Sequence, residues 1–160
     1  MRLGIISDTH DNVENVLKAV ALFRKENVPL VVHCGDMISP KTATFFQGVA
    51  LKFVRGNCDG DVTNLKMKLE QVGSEFLGER AVLEIEGKTI FVYHGHDKSK
   101  LDSFIKSGEY QYVFTGHTHI LRDEQVGTTR VLNPGAHYYG CDGTVMVLDL
   151  GSGQVEVVRL

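Results

Sequence analysis

The sequence has no excess of basic residues, no long apolar run and no paired cysteines, and each absence removes a class of protein. Seventeen Lys and Arg stand against twenty Asp and Glu, giving a net charge of −3 and a pI of 6.1. A sequence-blind nucleic-acid binder is normally basic, so non-specific nucleic-acid binding is not expected. No apolar run approaches the roughly 20 residues that cross a bilayer, and no charged-then-apolar leader opens the chain. Neither a membrane span nor a targeting peptide is therefore expected. Cys34, Cys58 and Cys141 are odd in number and widely spaced, with no Cys-x-x-Cys, which fits a reduced cytoplasm. Linkers, low-complexity tracts and repeats are missing too.

What is there has the composition of an ordinary globular domain. The 160 residues are 42% hydrophobic and 23% charged, and the chain is long enough for a real core. Leu3 to Ile6 is a short β-branched run and reads as a buried strand. Asn12 then caps a helix whose apolar stripe is Val13, Val16, Leu17, Val20, Ala21 and Phe23. Val28-Pro29 breaks that helix, and Leu30 to Val32 forms a second strand, closing a β-α-β unit. Pro40 to Gln47 reads as a shorter helix opened by its proline, Leu51 to Val54 as a strand and Val62 to Gln71 as a helix. Ala81 to Glu86 and Thr89 to Tyr93 form a hairpin turning at Glu86-Gly87-Lys88. A helix over Lys98 to Lys106 and a strand over Tyr112 to Thr115 follow. The last third is strand-rich: Leu121 to Val126, Thr129 to Leu132, Thr144 to Leu150 and Val155 to Leu160. This order predicts an α/β fold in one domain, residues 1–160. It has two packed sheets with helices outside, and the polar motifs gather on one rim.

The histidines carry the chemical signal. Of the seven, His10, His33, His94, His96, His117 and His119 directly follow apolar strand-like runs. Asp8 and His10 fall where the first strand gives way to a loop, the usual place for ligands in an open α/β sheet. Residues i and i+2 of an extended segment point the same way, so both side chains can reach one point. Carboxylate oxygen with imidazole nitrogen suits Mn, Fe, Zn or Ni.

Asp8-x-His10, Gly35-Asp36, Gly56-Asn57-x-Asp59, His94 behind a strand, and Gly116-His117-x-His119 appear in that order. The series resembles the calcineurin-like metallophosphoesterase superfamily, and the short length resembles its small, cap-less prokaryotic phosphodiesterase branch. The resemblance covers Leu3 to about Gly135, including an Asn133-Pro134-Gly135 loop that this branch carries. It implies a four-layer αββα sandwich of two mixed sheets flanked by helices. It also implies a metal-dependent phosphoesterase, a phosphodiesterase first, in which a hydroxide bridging two divalent ions attacks phosphorus in line. Manganese is the first choice of ion, with Ni, Fe, Co or Zn compatible with the same mixed ligands.

Residue by residue, the resemblance assigns Asp8, His10 and His119 to the first ion and Asn57, His94 and His117 to the second, with Asp36 bridging. Asp36, Asn57, Asp59 and His94 would serve catalysis. A bridging ligand needs two oxygens on one short arm, which Asp supplies. The neutral carbonyl of Asn57 leaves its ion more strongly Lewis acidic. With two ions and a hydroxide the ligand set would carry roughly one positive charge, suited to a monoanionic diester. Gly35, Gly56, Gly95 and Gly116 are expected where backbone turns sharply beside the ions.

One position departs from the larger members of the family. They carry His directly after the motif Asn, to protonate the leaving oxygen, and this chain has Cys58. Cations near it would favour thiolate, a poor proton donor, leaving Asp59 to support a ligand or to pass a proton through water. Arg55, Cys58, His96 and His33 are candidates to touch substrate or to support ligands. His33 reads first as packing, His96 is balanced between the two roles, and Arg55 between phosphate contact and a surface salt bridge. His137 would line the site or face water, and Cys34 reads as buried packing. Two competing functions are a non-catalytic scaffold, because a retromer subunit shares this fold with a depleted ligand set, and a nuclease. The complete ligand set favours the enzyme, and the acidic balance disfavours the nuclease. The expected partner is a small phosphodiester; assembly into a homo-oligomer has no sequence signature.

Overall fold

The parallel strands decide where the motifs go. In a computed structural model describing residues 1–140 and 142–160, β1 (Arg2–Ile6) pairs in parallel with β2 (Leu30–His33), Leu3 opposite Leu30. The chain crosses between them as α1 (Val13–Lys25), which Asn12 opens by accepting the Asn15 backbone N–H at 3.2 Å. Cys141 lies outside the described residues. β3 (Leu51–Phe53) follows in parallel beside β2, after α2 (Pro40–Ala43) and a 3₁₀ turn over Thr44–Phe46. α3 (Val62–Gln71) leads to a two-residue strand, β4 (Glu75–Phe76), parallel to β3.

The second sheet begins with a hairpin, β5 (Arg80–Ile85) and β6 (Lys88–Tyr93), turning through Glu86 and Gly87, both at positive φ. α4 (Lys98–Ser107) then carries the chain to β7 (Tyr112–Phe114), parallel to β6. β8 (Arg122–Val126) and β9 (Thr129–Asn133) complete this sheet, in the order β5-β6-β7-β9-β8. β10 (Thr144–Asp149) and β11 (Val155–Arg159) return to the first sheet, whose order is β11-β10-β1-β2-β3-β4. Both sheets are mixed.

Alternation along the strands sorts their side chains into three apolar layers. Leu3, Ile5, Val32, Met146 and Leu148 meet Ile90, Val92, Phe114 and Leu132 between the sheets. Ile6, Val31, Phe53, Val145 and Val147 point outward against Val16, Val20 and Phe23 of α1 and Leu65 and Leu69 of α3. Phe91, Tyr93, Val113 and Val131 cover the other outer face beneath Leu101 and Ile105 of α4. The result is the expected four-layer αββα sandwich. Gly4 sets the distance of α1 from its sheet: a Cβ there would lie 2.7 Å from the Phe23 ring. Truncating a core phenylalanine such as Phe23 costs about 3–5 kcal/mol.

Three details differ from the sequence reading. The buried arc of α1 is Asn15, Val16, Ala19, Val20 and Phe23, while Leu17 and Ala21 face solvent. The helix is set by where Phe23 seats over Gly4, and that turns its buried edge toward Ala19. The segment from Pro40 to Gln47 is a single α turn that tightens into 3₁₀ geometry. β4 was not expected, because two residues carry no period; its place comes from pairing with β3.

Candidate metal centre

β1, β2 and β3 run parallel in one sheet and β6, β7 and β9 in the other, so the motifs that follow them emerge on one rim. Five of the seven expected metal ligands, Asp8, His10, Asp36, His117 and His119, have positive φ, between 43° and 66°. Each such non-glycine residue costs roughly 1–3 kcal/mol, so surrounding bonds must hold it there. They do. The Asp8 N–H donates to the Gly35 carbonyl at 2.9 Å, the His10 N–H to the Asp36 carbonyl at 3.1 Å and the His117 N–H to Asp8 Oδ2 at 3.0 Å.

Two carboxylate oxygens lie at the middle of the cluster. Asp8 Oδ1 is 3.2 Å from His119 Nε2, 3.7 Å from His10 Nε2 and 3.9 Å from His94 Nε2. Asp36 Oδ2 is 3.3 Å from His94 Nε2 and 3.8 Å from His10 Nε2. Asp8, His10 and His119 thus form one group whose donor atoms converge, and Asp8, Asp36 and His94 form a second. Asp8 Oδ2 is already engaged, accepting Ser7 Oγ–H at 2.5 Å as well as the His117 amide. That leaves Oδ1 buried, with no hydrogen-bond partner among the described residues, and His94 Nε2 is in the same position. His94 Nδ1 faces the Cys34 carbonyl at 2.8 Å and must donate to it, which turns the lone pair of Nε2 toward the carboxylates. An orphaned buried acceptor is costly in water-free surroundings, and a cation removes the cost. The donor set fits one.

Charge in the cluster follows the same geometry. Burial pushes the Asp36 carboxyl up, yet the His94 imidazole 3.3 Å from its Oδ2, with contacts from Cys58, holds it well below the usual carboxylate range. Burial likewise opposes the charged form of Asp8, and His10, His94 and Ser7 reverse the balance. His94 is raised because Asp36 and Asp8 outweigh its burial, and His10 is raised chiefly by the Asp8 carboxylate 3.7 Å from its Nε2. His117 is lowered by burial and by the neighbouring His94.

The other expected residues sort themselves by contact. The His117 ring lies edge-on to His94, centroids 5.2 Å apart, beside both groups but in neither. Asn57 is exposed on the rim, its amide donating to Cys58 Sγ at 3.3 Å. Cys58 gathers with His10 and Asp36 in a third convergent group. Burial first, then Asp36, pushes its thiol up to about 11. His96 is on the rim, 3.7 Å from Glu79, its ring 6.1 Å from that of His94. Arg55 is exposed, and makes no salt bridge among the described residues.

Asp59 is placed to support a ligand, the first of its two expected roles. It is fully buried, with Oδ2 accepting the Asp36 and Gly56 amides at 2.9 and 2.7 Å and Oδ1 accepting the Ile38 amide at 2.8 Å. A carboxylate so occupied holds the Asp36 loop in place. His33 is buried as expected. Its Nδ1 accepts the Gly35 amide at 3.1 Å, so Nε2 carries the proton given to Thr9 Oγ1, tying the Asp8 loop to the Asp36 loop. His137 does not face water: it is fully buried, and its backbone N–H donates to the Asp8 carbonyl at 2.9 Å. Of the four rim glycines, Gly35 and Gly95 turn at φ near 100°, whereas Gly56 and Gly116 are needed for close approach. A Cβ on Gly116 would stand 1.9 Å from Ser7 Oγ.

Sequence reasoning missed Ser7, whose hydroxyl orients Asp8, and Asp11, whose Oδ1 takes the Ser39 amide and hydroxyl and the Thr42 hydroxyl at the start of α2. It also missed Tyr138, whose ring lies 5.3 Å from that of His119. Ser7 and Asp11 flank Asp8 and His10 directly, and that adjacency was the only available signal. A surface cavity of about 370 Å³, lined by Arg2, Val147, Asp149, Ser152, Gln154 and Glu156, opens at the opposite end of β1, away from this chemistry.

An αββα sandwich carrying carboxylates and imidazoles on the rim of its parallel strands defines a metal-dependent hydrolase. The chain belongs to the calcineurin-like phosphoesterase superfamily, whose domain matches residues 1–153. It is 39% identical over 138 residues to a phosphodiesterase of Methanocaldococcus jannaschii, spanning 84% of this chain and 83% of that one. The solved structure of an archaeal phosphodiesterase superposes with a TM-score of 0.94 at 35% identity, over 100% of both chains. Vps29 of Entamoeba histolytica, complexed with zinc, shares the fold, with a TM-score of 0.69 at 20% identity over 100% of this chain and 98% of that one. No helix among the described residues is long and apolar enough to cross a membrane.

Proposed function

We propose that this chain is a single-domain phosphodiesterase that hydrolyses a small phosphodiester with two divalent ions. Asp8, His10 and His119 hold one ion, Asn57, His94 and His117 the other, and Asp36 stands between them, with Asp8 Oδ1 close enough to serve both. The observation that carries this reading is the pair of buried, unpartnered atoms, Asp8 Oδ1 and His94 Nε2, facing each other at 3.9 Å beside Asp36. Manganese is the first candidate, and the same nitrogen and oxygen donors suit Ni, Fe, Co or Zn.

When bound, such ions supply Lewis acidity, lowering the pKa of coordinated water and offsetting the charge of the phosphate. The chain's own residues do the rest. Ser7 and the His117 amide fix the Asp8 carboxylate, and the Cys34 carbonyl fixes the ring of His94. The Asp59 carboxylate fixes the loop carrying Asp36. Geometry held before substrate arrives lowers the barrier without reorganisation during the reaction.

Metal analysis of the purified protein, combined with bis-p-nitrophenyl phosphate hydrolysis under added Mn or Ni, tests the reading. Two ions per chain and metal-dependent turnover are expected. Asp36→Ala and His117→Ala should each abolish turnover while the circular dichroism spectrum is kept. Full activity in either variant refutes the assignment.

A further inference from the structure

Eight large apolar side chains are exposed among the described residues, and four of them, Ile120, Leu121, Tyr138 and Tyr139, come from the two loops that bracket His119. Tyr139 is 76% exposed and Ile120 68%. Single exposed apolar residues need no explanation, but here the Tyr138 ring lies against His119, and Ile120 and Leu121 follow His119 directly in the chain. The two loops are tied together: the Asn133 side chain donates to the Gly116 carbonyl at 2.8 Å and to Thr118 Oγ1 at 3.1 Å. The second loop is pinned again where Thr144 Oγ1 donates to the Pro134 carbonyl and where the His137 amide reaches Asp8. Tyr138 is therefore held in a fixed relation to Asp8 and His119, its ring tilted 33° from the imidazole at 5.3 Å.

We propose that Tyr138 and Tyr139, with Ile120 and Leu121, form a shelf that receives a flat aromatic ester arm of the phosphodiester, and so determine specificity. The proposal rests on the phosphodiesterase reading. His119 belongs to the cluster proposed to hold the ions and the phosphate, and the Tyr138 ring stands 5.3 Å from it, so the shelf begins beside that cluster. A tyrosine face offers dispersion and quadrupole attraction to any aromatic ring and is indifferent to its hydrogen-bond pattern. The shelf selects for flatness, and both an aryl ester and a nucleoside ester satisfy it.

Three ligands separate the possibilities on manganese-loaded protein by titration calorimetry: dimethyl phosphate, diphenyl phosphate and adenosine 5′-(methyl phosphate). Wild type should bind the aromatic diesters about tenfold more tightly than dimethyl phosphate, the size expected of ring stacking. The ratio of diphenyl to adenosyl affinity tells an aryl arm from a nucleobase arm. Tyr138→Ala with Tyr139→Ala should bring the aromatic-to-methyl ratio close to one, and the corresponding Phe substitutions should restore it. No preference in wild type, or a ratio that survives the double substitution, overturns the shelf. A wild-type dimer in sedimentation that dissociates on the same substitutions assigns the patch to a second copy and overturns it too. Wild type that hydrolyses bis-p-nitrophenyl phosphate but shows no preference loses only the shelf; wild type that does neither loses the phosphodiesterase reading with it.

Discussion

Asp59 Oδ2 accepts the backbone N–H of Asp36 at 2.9 Å, across 23 residues of sequence, while the side chain of Asp36 faces the histidines. One carboxylate holds the backbone so that another can hold its position at the centre. Asp59→Ala would leave the two buried amides of Asp36 and Gly56 without acceptors, at about 1–3 kcal/mol each before relaxation, and free the part-buried Ile38 amide. The expected outcome is a fall of several kcal/mol in urea-measured stability, together with weakened manganese uptake. Unchanged stability with lost turnover would instead give Asp59 a direct part in the chemistry.

Gly116 lets β7 end against Ser7 and Asp8. In Gly116→Ala the new Cβ would meet Ser7 Oγ and Asp8 Oδ2, at 1.9 and 2.5 Å before any shift. Stability should fall by about 1–3 kcal/mol, the usual effect of overpacking. Turnover should fall about 100-fold, because the orientation of Asp8 is lost. Gly127→Ala, in the open β8–β9 turn where a Cβ meets nothing within 4 Å, should lower stability through its positive φ and keep full turnover. Equal kinetics in the two variants would remove the close-approach argument.

Cys58 stands where the family resemblance leads one to expect a proton-donating histidine. Diesters with activated phenolic leaving groups need little help, whereas alkoxides must be protonated. Cys58→His should raise the rate for an alkyl leaving group by about tenfold or more, with little change for p-nitrophenolate. Parallel rates on the two substrate types, measured in steady state, would show that the leaving oxygen takes its proton elsewhere.

His33 makes acid sensitivity a property of the fold. Burial lowers its pKa from 6.5 to about 3, so the folded chain refuses a proton that the unfolded chain accepts. Its contribution to stability is complete above pH 6.5 and is lost as pH falls toward 3, at up to about 1.4 kcal/mol per pH unit. His33→Gln should be less stable at pH 7, with the gap to wild type closing between pH 6 and 4 in urea titrations. A gap that stays constant over that range would mean that His33 does not titrate this way.

The residues themselves determined the donor types, their position behind apolar runs and the αββα order, because strand length, period and a polar break are local properties. Asp8, His10, His94 and His119 were legible as strand-end donors for that reason, whereas the ligand role of Asp36 came from the family resemblance. The tertiary structure alone decided which face of α1 is buried, that β4 exists, and that Asp59 serves backbone amides. It also decided that His137 is enclosed and that Tyr138 lies against His119. These depend on strand register and layer packing, which bring together groups such as the His117 amide and Asp8 Oδ2, 109 residues apart. No local pattern encodes contacts of that span; they appear only when parallel strands from two sheets end at the same rim.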